Sequence, residues 1–327
     1  MANVHNDHDY DDDYDDHDHD YDDYDYGSDG YDLPERVYHL PHEGAELYAE
    51  DVGDAQAPAL FYLHGGPGYH SHSFRELAGD SLSSYRVLYA DQRGAGRSPL
   101  RGPHQQSFAE LASHYASDVI ALLDHAGIAK TSLLAHGFGA LIAVDVALRY
   151  PERLERLLFV NPWLDMPRLA RAMQRHAALL SGQAEAAIAP EHQLAASNWD
   201  SMALLEEAFS WVSSSRLLDS MHFPRSASRL LLEHSDAAAI TSHNSLEIDR
   251  EALWRMDARD ALPRLAESAL PCVLLVGKED KSCYPEQAEL ALLHLPQALF
   301  SLLDSGHYPW LDDPDTFQAI LEQAMQL

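Results

Sequence analysis

Short apolar runs separated by longer amphipathic stretches set the rhythm of this chain. Residues 36–40 and 46–50 read as two short strands and predict an N-terminal hairpin. Runs at 59–63, 85–90, 131–136, 157–160, 273–277 and 299–303 are largely apolar throughout, which predicts strands covered on both faces. Between them the spacing becomes helical. Leu111, Tyr115, Val119 and Leu122 fall on one face of residues 108–125, and residues 138–149 continue a helical pattern that Tyr150-Pro151 stops.

This alternation predicts an α/β fold, a mostly parallel central sheet flanked by helices. From about residue 162 to 269 the strand signal disappears, and amphipathic helices take over. Leu204, Leu205, Ala208, Trp211 and Val212 recur on one face, as do Leu169, Met173, His176 and Leu180. The stretch predicts a helical cap inserted between sheet strands, above the C-terminal strand ends where open α/β sheets bind ligands. The expected organisation is a tail over 1–34, a sheet core over 35–161 and 270–327, and the cap over 162–269.

Composition adds limits. With 327 residues, 46% of them hydrophobic, the chain can bury one substantial core. Its net charge of −31 would repel nucleic acids and anionic membranes, so neither is an expected partner. Much of that charge is local, because residues 1–32 hold 14 Asp, 6 Tyr and 4 His without one Lys or Arg. So much self-repulsion with so few aliphatic side chains predicts disorder over the tail. His17 and His19, with their carboxylate neighbours, are the one divalent-metal reading; a solvated acidic extension is the other, and no fixed ligand spacing speaks against it. The two cysteines, Cys272 and Cys283, suggest neither a disulfide framework nor a zinc site. No apolar run reaches membrane-spanning length and no signal-peptide pattern is present, so a cytoplasmic location is expected.

Five short segments carry the candidate chemistry. His64-Gly65-Gly66-Pro67-Gly68 follows the run at 59–63, and its uncrowded glycine amides can approach a ligand. Asp91-Gln92-Arg93-Gly94-Ala95-Gly96-Arg97-Ser98 follows the next run. Ala135-His136-Gly137-Phe138-Gly139 lies at a strand-to-helix junction. Asp280 and His307 come just beyond two consecutive late strands. Each taken alone has a bland reading, as a tight turn, a turn aspartate or a loop histidine.

Together these motifs resemble the proline iminopeptidase group of the α/β-hydrolase family over roughly residues 35–327, apart from the weakly patterned middle. The resemblance implies a serine nucleophile at position 137 and a glycine at 135, where this chain has Gly137 and Ala135. It further implies that His307 is the base, Asp280 its orienting partner, and the amides of Phe138 and of Gly65 or Gly66 the oxyanion donors. The cap is implied to recognise a peptide's amino terminus through acidic side chains. Asp200, Glu206 and Glu207 are the candidates, against the alternative of a solvated helix face.

Without a hydroxyl at 137, acyl-enzyme chemistry has no nucleophile there. Cys283 lies near Asp280 but off the elbow, and His136 reads as a buried residue bonded to backbone. A water activated by His307 is the remaining route to slow hydrolysis. Three functions stay open: an inactivated or residually active aminopeptidase or amide and ester hydrolase for a small peptide, amide or ester; a silent protein binding a small ligand in the capped pocket; and base-only proton abstraction or lyase chemistry by His307. No cofactor is expected, and the sequence sets no oligomeric state.

Overall fold

The computed structural model describes residues 35–101, 108–183, 200–239 and 250–327. The tail with His17 and His19 lies outside them, as do two stretches of the expected cap. Among the described residues, eight strands form one sheet in the order β1-β2-β4-β3-β5-β6-β7-β8. These are β1 (Glu35–His42), β2 (Ala45–Val52), β3 (Ala59–Leu63), β4 (Arg86–Asp91), β5 (Thr131–His136), β6 (Leu154–Val160), β7 (Cys272–Gly277) and β8 (Leu299–Leu303). β1 and β2 form the expected antiparallel hairpin and β2 pairs antiparallel with β4, while β4 through β8 run parallel. β6 begins three residues before its apolar run, because Glu155 and Arg156 break the hydrophobic pattern without breaking the pairing.

Alternate side chains of each strand enter opposite cores, as a period of two requires. Phe61, Leu63, Leu133 and Ala135 pack on one face with α2 (Phe108–His125) and α3 (Gly139–Arg149). Leu60, Tyr62 and Leu134 pack on the other with Phe74 of α1 (His72–Ala78) and with Phe317 and Leu321 from the C-terminal helix Pro314–Ala324. Among the described residues between β6 and β7 there are helices and no strand of the sheet. They are α4 (Met166–Ser181), α5 (Ser201–Trp211), α6 (Ser214–His222), α7 (Ser226–Ala238), α8 (Arg250–Leu253) and α9 (Leu262–Ala266). Leu169 and Met173 of α4 and Leu205 and Ala208 of α5 are buried, so the apolar stripes read from sequence do face inward. Asp165 caps α4 by accepting from the Arg168 amide at 3.0 Å, satisfying one of the orphan donors of its first turn. No helix among the described residues is long and apolar enough to cross a membrane.

Candidate active site

Gly137 sits where β5 turns into α3 and holds φ at +51°, a left-handed conformation that costs a residue with a Cβ. Its amide donates to the Val160 carbonyl at 3.0 Å, and its carbonyl accepts from Trp163 at 2.9 Å, which ties the turn to the end of β6. A Cβ placed on this glycine would lie 3.3 Å from His307 Nε2, 3.4 Å from His307 Cε1 and 3.6 Å from the Cα of Gly65. An imidazole, a glycine-loop backbone and the elbow therefore meet at one point.

The imidazole is held from every side. His307 Nδ1 donates to Asp280 Oδ2 at 2.8 Å; since a carboxylate only accepts, the lone pair is on Nε2, toward Gly137. The other oxygen of Asp280 accepts from the Ser282 amide at 2.9 Å and its hydroxyl at 2.6 Å, and that hydroxyl accepts from Trp163 Nε1 at 3.0 Å. His307's own amide donates to the His222 carbonyl at 2.9 Å. Its carbonyl accepts from Asn161 Nδ2 at 3.0 Å and from His136 Nε2 at 2.9 Å. The ring stacks with His222 (centroids 4.3 Å apart, planes at 19°) and with Trp163 (5.2 Å, 23°). Burial pushes His307 down to about 3 and holds His136 and His222 well below the ordinary imidazole range, so all three are neutral. Burial also raises Asp280, against the pull of the nearby imidazoles and the two Ser282 donors.

Asn161 escaped the sequence reading. It joins three strand ends, donating to Gly306 and His307 and accepting from the Gly277 amide at 2.8 Å, and it does so at φ +44°. The one local signal was an asparagine directly after an apolar strand, a residue that tolerates this conformation. His222 and Trp163 carried no local signal, since their contact with His307 exists only once distant elements meet.

The glycine loop is fastened by the loop that follows β4. Gln92 donates its amide to His64 Nε2 at 2.9 Å, so His64 Nδ1 carries the proton given to Gly65's carbonyl at 2.6 Å. Gln92 Nε2 adds a bond to the His64 carbonyl at 2.7 Å. Asp91 in turn accepts from Ser71 and from Arg97, whose guanidinium also binds Glu50 and lies 3.9 Å from the Tyr48 ring centroid. Gly65 needs to be glycine, because a Cβ there would stand 2.9 Å from His136 Nδ1. Phe138, the N-cap of α3, buries its ring against Tyr115 and leaves its amide among the helix's first-turn donors.

Residues 58–314 match the α/β hydrolase fold family. The chain belongs to it. The α/β-hydrolase is similar to a proline iminopeptidase-related protein of Thermus thermophilus, 33% identical with a TM-score of 0.74, the match covering 90% of this chain and 98% of that one. It is also similar to the putative carbamate hydrolase RutD of Pseudomonas savastanoi pv. phaseolicola, 27% identical over 82% of this chain and 93% of that protein. A third relative, 3-oxoadipate enol-lactonase 2 of Acinetobacter baylyi, is 23% identical over 86% of this chain and 96% of its own length.

In this α/β-hydrolase a cavity of about 600 Å³ is lined by residues of the helices between β6 and β7 together with Gly65, Gly66, His136 and His307. The acids expected to reach it do not. Asp200 caps α5 by accepting from the Ala203 amide at 3.1 Å, Glu207 accepts from Gln174 at 2.8 Å, and Glu206 is exposed, all away from the lining. Among the described residues, the carboxylates that line the cavity are Asp219, Glu233 and Asp236 instead. Arg229 binds Asp219 at 3.1 Å and Glu233 at 2.9 Å, whereas Asp236 accepts from the hydroxyls of Tyr69, at 2.6 Å, and Ser73. Glu233 and Asp236, three apart on α7, fall on one face of that helix, a spacing legible in sequence.

Two alternative chemistries do not fit the geometry. Cys283 is packed into the core with its thiol pushed well up by burial, so it offers no thiolate. His222, Asp280 and His307 bring ligand atoms within 4.8 Å of one another. His307 and Asp280 already share a hydrogen bond, however, which commits the Nδ1 of that ring and one carboxylate oxygen to each other.

Proposed function

We propose that this α/β-hydrolase keeps the acid–base and anion-binding parts of acyl transfer while lacking its nucleophile, and that its capped cavity receives a small amide or ester with a free amino group. In this reading His307 is the base, Asp280 orients it, and the amides of Phe138 and of Gly65 or Gly66 face the oxyanion. Asp236, held by neutral hydroxyls and not by Arg229, receives the ligand's ammonium. The observation that carries the reading is the 3.3 Å between His307 Nε2 and a Cβ on Gly137, the neighbourhood in which a serine oxygen would meet its base. The proline iminopeptidase-related neighbour supports an amino-terminal substrate; the carbamate hydrolase and the lactonase make carbamates and lactones the next substrates to try.

Loss of a nucleophile from such a triad costs about six powers of ten, leaving roughly 10³ to 10⁴ over water. The chain as it stands therefore binds its ligand and turns it over slowly at most, through a water activated by His307. Gly137→Ser is expected to raise cleavage of a chromogenic proline, alanine or simple ester substrate by about 10³ or more. Adding Asp280→Asn should remove about 10⁴ of the restored turnover. A serine-directed phosphonate should label the Gly137→Ser protein and leave the parent untouched. A folded Gly137→Ser protein inert on every substrate and unlabelled would overturn the reading.

A further inference from the structure

We propose that His307 also acts with no hydroxyl partner, as a general base that takes a proton from a carbon acid bound beneath the helical roof. This rests on the placement of His307 and Asp280 argued above, but not on any hydrolytic activity. The Asp280 carboxylate fixes the Nδ1–H tautomer, so Nε2 presents a lone pair beside Gly137. A residue with a hydroxyl at 137 would donate to that lone pair; glycine has nothing to donate, and the acceptor is left to whatever the cavity holds.

The ring is held in one place and one tautomer. Asp280 accepts from Nδ1, the aromatic faces of Trp163 and His222 lie against the ring, and Asn161 and His136 pin its carbonyl so that the base does not drift. The Phe138 amide is a first-turn donor of the eleven-residue α3, which begins directly after Gly137, and in this reading it stabilises the developing oxyanion. A neutral base opening on a largely apolar cavity is what enolisation needs.

The step balances without a co-reactant. The C–H bond next to a carbonyl breaks, its proton goes to Nε2, and its electron pair moves into the carbon skeleton to leave the charge on the carbonyl oxygen. Return of the proton to the same carbon, or to a conjugated one, restores the base. The net outcome is hydrogen exchange, racemisation or a double-bond shift in a small, weakly acidic carbonyl compound.

The probe is 5-nitrobenzisoxazole: a base removes the one C–H proton of its isoxazole ring, the electron pair forms a nitrile, and the N–O bond breaks to release a coloured phenolate. The full chain is expected to accelerate this elimination by about 10² or more over buffer, the low end of what a positioned base supplies. His307→Ala should abolish the acceleration. Because that variant removes a buried, bonded ring, Gly137→Ser is the second arm: it keeps His307 and gives Nε2 a hydroxyl donor, and elimination should fall about tenfold or more while ester cleavage rises. Equal rates for parent and His307→Ala would overturn the proposal. So would a parent without acceleration beside a Gly137→Ser protein that cleaves esters, a result that leaves the hydrolase reading standing. Elimination by the parent beside an inert, unlabelled Gly137→Ser would support the base and end the hydrolase reading alone.

Discussion

Gly137 holds φ at +51° while His307 Nε2 waits 3.3 Å from where its Cβ would be. Any side chain at 137 meets two costs, a left-handed backbone and a ring that must shift by a few tenths of an ångström. Gly137→Ser and Gly137→Ala are therefore expected to lose about 1 to 3 kcal/mol of stability and to melt several degrees lower. Differential scanning calorimetry checks this; an unchanged or raised melting temperature contradicts it.

A Cβ on Gly65 would crowd His136 more than one on Gly137 would crowd His307. Because its Cβ would stand 2.9 Å from His136 Nδ1, Gly65→Ala must displace either the glycine loop or the imidazole that donates to His307's carbonyl. In a Gly137→Ser background this should cut ester turnover by about 10² to 10³, the effect of losing one oxyanion donor. The KM should move far less than kcat. A loss confined to KM would assign the loop to ground-state binding only.

Arg97 is the half-buried hub of the ion network behind the glycine loop. Its side chain, 18% exposed, binds the buried carboxylates of Asp91 and Glu50, so Arg97→Met leaves Asp91 without its cation and Glu50 with Arg75 alone. Breaking a buried pair this way costs about 3 to 5 kcal/mol. Arg101, 60% exposed against Glu46, is the contrast, and removing it should cost less than about 1 kcal/mol. Urea denaturation of both variants gives the comparison, and equal effects would refute it.

Buried neutral histidines make the fold acid-sensitive. Burial holds His222 well below the ordinary imidazole value of 6.5, so as pH falls below 6.5 the unfolded chain binds a proton that the folded chain refuses. Stability falls with pH across that window, by at most about 1.4 kcal/mol per unit for one such group. His222→Gln should therefore lose less stability than the parent between pH 7 and pH 5, whatever its absolute stability. Identical slopes would show His222 to be titrating normally in the native state.

Much of this was legible from the residues in order. Strands β3, β5 and β8 coincide with their apolar runs; β3 and β5 are covered on both faces as their composition implies, whereas β8, at the sheet's edge, leaves Phe300 and Leu302 exposed because no described strand or helix covers that side. Gly137, Asp280 and His307 meet because each follows a strand at the same edge of the sheet. What escaped, besides Asn161, was what depends on where the inserted helices sit against the strand ends. An acidic side chain on an amphipathic helix looks the same in sequence whether it caps the helix, as Asp200 does, or turns into the cavity, as Asp236 does.

β6 and β7 are hydrogen-bonded neighbours, Leu157 opposite Cys272 through Val160 opposite Leu275, although more than a hundred residues separate them. The roof is thus a detour that departs from and rejoins adjacent threads of the weave. Such a segment can be traded as a cassette, changing which molecules are admitted while the sheet beneath keeps its register. One stitch limits the trade: the carbonyl of His222 receives the His307 amide at 2.9 Å. A transplanted roof would keep that imidazole upright only if it offered an equivalent oxygen there.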